Sequence, residues 1–377
     1  MMGTKGRTSG LKSVHSRALG LIGVSLLSLT ALILACTDKG SGPTTVDYSV
    51  VFVNHDASQC IYVADPKTDS IVGTISHAGD IWQTEISPDG RWLYATVRWD
   101  GTHPGGFYKF DLQSKVQVGY LPIGGGFALV EGGRTIVLGG TRIGSNQDSL
   151  YFVDAAQFQI KEVRYGFVVD PRSQLDATIL VGPAPTSSRT IGHMLGVYDF
   201  VSGAYDTIRI TDDFDLSEQF LHPDKRHVLA IGFHYPATWL YLVDVTTKQS
   251  APLYWPMLSI LVRVVFSASG DTAFVSNPQA PDDVNLTGCA KGELLCFDTR
   301  PGQYSLLKKV PTDAPIMGLA LSPDGTRLYA TRGHTVCGGG DVITFDARTL
   351  AVLPDTIHPP RSGSPTDIFI STAIGVR

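Results

Sequence analysis

The residues of this chain best equipped for chemistry recur at repeated positions. Asp65, Asp111, Asp154, Asp199, Asp244, Asp298 and Asp346 each close a short apolar run. A second set, Arg98, Arg142, His234, Arg332 and His55, begins the connection that follows another apolar run in five different stretches, with His334 further along its own connection. Carboxylates in series could ligate cations or transfer protons, and arginines gathered around one opening could clasp a carboxylate or phosphate through paired N–H donors. Histidines among them would add a charge that changes near neutral pH. An aspartate at a strand exit, ahead of a turn, is also the residue that accepts the turn's backbone N–H groups, so the seven read as turn caps rather than as seven acids. The histidines show no metal-ligand spacing, and no metal or other cofactor is implied. Gly-x-Ser-x-Gly, His-Glu-x-x-His, Walker and EF-hand signatures are absent.

The elements that must position these residues are strands. From Tyr48 onward, apolar runs of about five residues alternate with Gly, Pro, Asp and Asn, without a helical period. The seven aspartates recur roughly every 47 residues, the spacing of four-stranded propeller blades. SPDGRWLYAT at 87–96 returns as SPDGTRLYAT at 322–331, five such periods later. In each copy Pro presets the turn and Gly takes the positive φ that closes a hairpin. Labelling the strands of a unit a to d, SPDG joins a to b, and the aspartate ends c. The chain starts with SVVFVN, CIYVAD and IVGTIS, which lack an a strand, and finishes with TDIFIS at 366–371, an a strand alone. Pairing these ends leaves no exposed edge between the first and last units. The expectation is an all-β, seven-bladed propeller of four-stranded antiparallel blades, closed by the C-terminal strand. The third and fourth units depart most from the repeat, and the a–b turn of the third is expected at 170–174.

On that plan the b–c connections share one face, where Arg98, Arg142, His234, Arg332, His55 and His334 would rim a channel mouth able to hold a small anion. The alternative is that they are ordinary loop residues paired with nearby Asp56, Asp100, Asp282 or Asp283. The SPDG turns fall on the opposite face and are expected to be inert. Gly124–Gly126 and Gly338–Gly340 lack the Lys-Ser/Thr of a phosphate loop and read as strand-connecting loops.

The N-terminus reads as an export signal over residues 1–35: Lys5, Arg7, Lys12 and Arg17 precede an apolar run from Ala18 to Ala35. Residues 36–46 read as a polar tether, 47–371 as the propeller and 372–377 as a tail. Ile33-Leu34-Ala35-Cys36 resembles the lipobox of bacterial lipoproteins, which implies lipidation of Cys36. Thr37 resembles the outer-membrane sorting pattern, so the protein is expected on the outer membrane, facing periplasm or cell surface, with the lipid anchor as its membrane contact. An uncleaved membrane anchor is the alternative. An oxidising address permits disulfides among Cys60, Cys289, Cys296 and Cys337, with Cys289–Cys296 and Cys60–Cys337 as pairings and small buried apolar residues as the competing role. Beyond the first 35 residues the chain has 26 basic and 35 acidic groups, a net charge of −9, which disfavours nucleic acid as a partner.

The repeat unit resembles the YVTN β-propeller family: LYAT at 93–96 and 328–331, and FVSN at 274–277, stand at its YVTN-like strand, and the likeness spans Tyr48 to Ser371. Propellers that look like this one include lactone-hydrolysing proteins and quinoprotein-like dehydrogenase subunits. The resemblance implies the fold and leaves two functions open. One is a monomeric binding or scaffolding module for a protein, glycan or small anionic ligand at one face of the channel. The other is a lactonase-like or quinoprotein-like enzyme with its site at the channel mouth.

Overall fold

Each of the seven aspartates caps a turn. In the computed structural model their Oδ1 atoms accept the N–H of the second residue on: Lys67 at 2.8 Å from Asp65, Gln113 at 2.8 Å from Asp111, Ala156 at 2.8 Å from Asp154, and Val201 at 2.8 Å from Asp199. Thr246 at 2.9 Å from Asp244, Arg300 at 3.0 Å from Asp298 and Arg348 at 3.1 Å from Asp346 complete the series. The carboxylates are thereby committed to holding c–d hairpins. The structure describes residues 48–54, 60–77, 79–98, 105–142, 148–165, 171, 173–174, 179–183, 194–210, 215–234, 237–254, 261–278, 291–332, 340–359 and 365–371.

The described strands form a β-propeller of antiparallel sheets, seven of them, each of four strands. Sheets 1 to 6 begin with the strands Asp80–Ile86, Ile123–Val130, Ser173–Gln174, Asp215–Leu221, Arg263–Phe266 and Ile316–Leu321, which neighbour one another around the centre. The remaining sheet joins the two ends of the chain. Pro365–Ser371 pairs with Ser49–Asn54, setting Ser49 opposite Ser371 and Phe52 opposite Ile368, followed outward by Cys60–Asp65 and Ser70–Ser76.

Burial occurs between sheets. Phe107, Phe127 and Tyr151 belong to a cluster shared by sheets 1 and 2, and Ile231, Val264 and Phe297 to one shared by sheets 4 and 5. The end-joining sheet packs on both sides, through Phe52 and Tyr62 against Tyr329 and Val342, and through Val51 and Ile61 against Leu93 and Phe110. Both faces of its strands are apolar for this reason: Cys60–Asp65 is buried at every position.

The SPDG turns are built as their sequence requires. Ser87 N–H donates to Trp92 O at 2.8 Å, Trp92 N–H to Ser87 Oγ at 2.9 Å, and Gly90 has φ 71°. Ser322, Arg327 and Gly325 repeat the arrangement, with Gly325 at φ 69°. Two local expectations fail. Ser173 and Gln174, expected in a turn, are the first strand of sheet 3, paired with Val181 and Leu180. Gly124 to Gly126 form no loop. They lie in Ile123–Val130, with Gly125 opposite Gly140, where a Cβ at Gly125 would sit 2.0 Å from Gly139 O. Glycine here allows a close backbone approach.

Cys296 is a free thiol facing the core between sheets 5 and 6, where burial raises its pKa, so it fills the small apolar role rather than one end of a bridge. Cys60 is likewise buried, in the cluster between sheet 6 and the end-joining sheet. Cys36, Cys289 and Cys337 lie outside the described residues.

Candidate functional site

The backbone sets Arg98, Arg142, His234 and Arg332 at corresponding ends of their sheets, each the last residue of a second strand. The side chains of Arg142 and His234, and all of His55 and His334, lie outside the described residues. Arg98 is exposed. Arg332 pairs with two acids other than those expected from the sequence, Asp341 and Asp313. Its Nε and Nη2 donate to the two oxygens of Asp341 at 2.8 and 2.5 Å, and its Nη1 reaches both oxygens of Asp313 at 2.9 Å. These hydrogen bonds hold its guanidinium pKa above the ordinary value. A side chain forked between two carboxylates serves the fold first, so an anion rim built on Arg332 is not supported.

A cavity lies toward the other end of the sheets. This cavity, of 490 Å³, is lined by first strands of sheets 1 to 5 and by their a–b turns, including Pro88 and Gly133. Pro88 of an SPDG turn, on the face expected to be inert, thus borders a cavity. Aligning the turns layers the cavity, because sheets 1 and 4 carry a bulge at the same place, before Gln83 and before Glu218. Gln83, Glu218 and Arg263 share the deepest level. Gln219 comes next, then Glu85 beside Phe220 and Val265, with Lys225 at the mouth.

Two glutamines show how differently this wall is used. Gln83 is structural: its Nε2 donates to Phe127 O at 2.8 Å and its Oε1 accepts Phe127 N–H at 3.1 Å, lacing sheet 1 to sheet 2. Gln219 is 5% exposed, and neither its Nε2 nor its Oε1 has a hydrogen-bond partner. A buried carboxamide left this way costs about 1–3 kcal/mol per orphaned group, an arrangement native folds retain for a reason.

Glu85 gives the cavity a titratable group. Burial pushes its carboxyl up to about 8, against the opposing pull of Leu129 N–H and of the Lys225 charge. At neutral pH it therefore holds its proton and can both donate and accept. Beside Glu85, the described lining carries one further acidic side chain, Glu218, and two basic ones, Arg263 and Lys225. Leu129, Phe220 and Phe266 supply apolar wall between these groups. Donors, acceptors, basic side chains and apolar surface suit a small polar molecule with a negative charge.

Two other cavities carry ion pairs or hydrogen bonds in their walls. In that of 640 Å³ beside Trp92, Lys161 pairs with Asp154 at 2.8 Å and Glu131 accepts from Thr135 at 2.8 Å. In that of 460 Å³ near Tyr48, Arg327 pairs with Asp355 at 3.1 Å. Among the described residues no cluster of three His, Cys, Asp or Glu could hold a metal. The cavity escaped sequence reasoning, although polar residues inside otherwise apolar first strands, IWQTEIS, LSEQFL and RVVF, were its signal.

No protein-family model matches the chain, and no curated protein matches it either. Solved structures do. The periplasmic gluconolactonase PpgL of Pseudomonas aeruginosa is similar at 14% identity and TM-score 0.62, over 86% of this chain and 99% of that one. A putative 6-phosphogluconolactonase from Bacteroides uniformis is similar at 11% identity and TM-score 0.60, over 86% and 99%. The Cps50 (Swd1) β-propeller domain of Myceliophteria thermophila is similar at 11% identity and TM-score 0.53, over 76% and 88%. At these identities the likeness is one of fold, a propeller of the WD40-like kind.

Proposed function

We propose that the protein is a binding propeller that holds a small polar, negatively charged ligand in the channel cavity on the side of the a–b turns. The observation that carries this reading is Gln219, buried in the wall of that cavity with both amide atoms unpartnered. A fold that tolerates this cost without a ligand gains stability by losing the amide, whereas a ligand gives both atoms a partner. The test is a thermal-shift panel of sugars, sugar acids, amino acids and dicarboxylates on the full-length protein in mild detergent. At least one compound raises Tm in the wild type and not in Gln219→Leu, whose ligand-free Tm is equal or higher. Hits that shift Gln219→Leu equally, or a panel without hits, would refute the reading.

One observation favours hydrolysis as a second reading: Glu85 keeps its proton near neutrality two levels above Glu218, so the cavity holds a proton donor and a second carboxyl group. The lactonase names of two structural neighbours suit it. Acid release from gluconolactone above the uncatalysed rate, lost in Glu85→Gln, would support it; no acceleration would set it aside.

The wider setting belongs to the same proposal. We take the seven sheets as seven blades of a YVTN-type ring, in the company of the repeated SPDG and Asp-terminated strands. The N-terminal segment and Cys36 support export and lipid anchoring at the outer membrane. Cys36→Ser is expected to release the protein from membranes; unchanged retention would favour an uncleaved anchor instead.

A further inference from the structure

We propose that the ligand of this cavity belongs to the uronic-acid class, a sugar ring with one carboxylate, seated with the carboxylate toward Lys225 and its hydroxyls against Glu85 and Gln219. The inference rests on the binding reading above and narrows it. Three features of the cavity select this chemistry.

The first is size. A volume of 490 Å³ falls in the range of about 300–1,000 Å³ typical of small-molecule sites, too small for a folded partner or a long glycan. The second is the order of charge along the channel. Glu218 and Arg263 stand at the same depth on adjacent sheets, and Lys225 stands at the mouth. Lys225 is held at φ 57° in the HPDK turn and lies near enough to the Glu85 carboxyl to lower its pKa. A single carboxylate at the mouth matches the single ammonium of Lys225 there.

The third is the alternation of wall chemistry between mouth and floor. A protonated carboxyl at Glu85 and an unpartnered carboxamide at Gln219 present donors and acceptors together, which hydroxyl groups can satisfy in both directions. Phe220 and Val265 give apolar surface at the level of Glu85. A sugar ring shows hydroxyls at its rim and C–H groups on its faces, so it meets both kinds of wall. A plain carboxylate would leave Gln219 orphaned, and a neutral sugar would leave Lys225 without its anion.

The test is calorimetric titration of the full-length protein in mild detergent with glucuronate, glucose and cyclohexanecarboxylate, three six-membered rings of similar size. Glucuronate is expected to bind at least about tenfold more tightly than either of the others, since one charge-assisted contact is worth roughly that factor. Lys225→Met, a change at an exposed turn position, should bring glucuronate down to the affinity of glucose and leave glucose unaltered. Equal binding of glucose and glucuronate overturns the role of the charge, and equal binding of cyclohexanecarboxylate overturns that of the hydroxyls. No binding by any of the three, while another compound of the polar panel binds in a Gln219-dependent way, overturns the sugar-acid class and leaves the binding reading standing. A panel without hits removes both.

Discussion

Replacing Glu85 by Gln should make the propeller more stable at neutral pH and flatten the pH dependence of its stability. The folded-state pKa of this carboxyl is about 8, against an ordinary value of 4.5. Below the unfolded value both states are protonated and the carboxyl costs nothing. Between the two values the unfolded chain ionises while the folded one keeps its proton, so stability falls as pH rises; above the folded value both are ionised and the loss is complete. A solution at neutral pH stands about 2.5 pH units above the unfolded value, which at ~1.4 kcal/mol per unit gives a penalty of about 3 kcal/mol. Partial contact with the channel screens the charge and brings this nearer to about 2 kcal/mol. Gln keeps the shape and removes the ionisation. The assay is urea unfolding of the wild type and Glu85→Gln at about pH 5 and about pH 8.5, where linkage predicts curves within about 1 kcal/mol of each other at the lower value and about 2 kcal/mol or more apart at the higher. Parallel profiles for the two proteins would refute the placement of Glu85 in a desolvated wall.

Gln83→Leu removes both hydrogen bonds to the Phe127 backbone and orphans its N–H and C=O, so unfolding free energy should drop by about 2–4 kcal/mol in the same denaturation assay. Gly125→Ala would drive a Cβ to 2.0 Å from Gly139 O and should cost more than about 3 kcal/mol, read as loss of the folded protein from the soluble fraction after mild heating. Asp244 is held well below the usual carboxylate range by Arg226, with the N–H groups of Thr247 and Thr246 adding to it. Its contribution is therefore complete above the ordinary carboxylate range and is lost as pH falls. Asp244→Asn should lose stability at neutral pH and show a shallower acid limb in a pH series of thermal melts.

What the sequence made legible was whatever one repeat could specify alone. The capping aspartates needed only their own turn, and all seven were readable from an apolar run ending in Asp. The pairing of Pro365–Ser371 with Ser49–Asn54 was readable because an a strand was missing at one end and surplus at the other. The third sheet was misread because so short a strand as Ser173–Gln174 carries no periodicity, and Asp170-Pro171 is a strong local turn signal. Gly124 to Gly126 were misread because glycine in a strand is justified by what approaches it, here Gly139 and Gly140 from the neighbouring strand. The cavity was missed for a related reason. Gln83, Glu85, Glu218, Gln219 and Arg263 come from three stretches far apart in the chain, and only the ring brings their levels into register around one channel. Arg332 was conspicuous in sequence, yet Asp313 and Asp341 decide its role, and strand pairing supplies the latter by setting Arg332 opposite Asp341.

A crystal structure of the protein with glucuronate, or with the strongest binder of the polar panel, shows most directly where the ligand sits. The prediction is ligand density between Glu85 and Gln219, with the carboxylate toward Lys225 and a hydrogen bond to the Gln219 amide. Density at the opposite end of the channel, beside Arg98 and Arg142, or outside the channel altogether with the Gln219 amide still unpartnered, would contradict it.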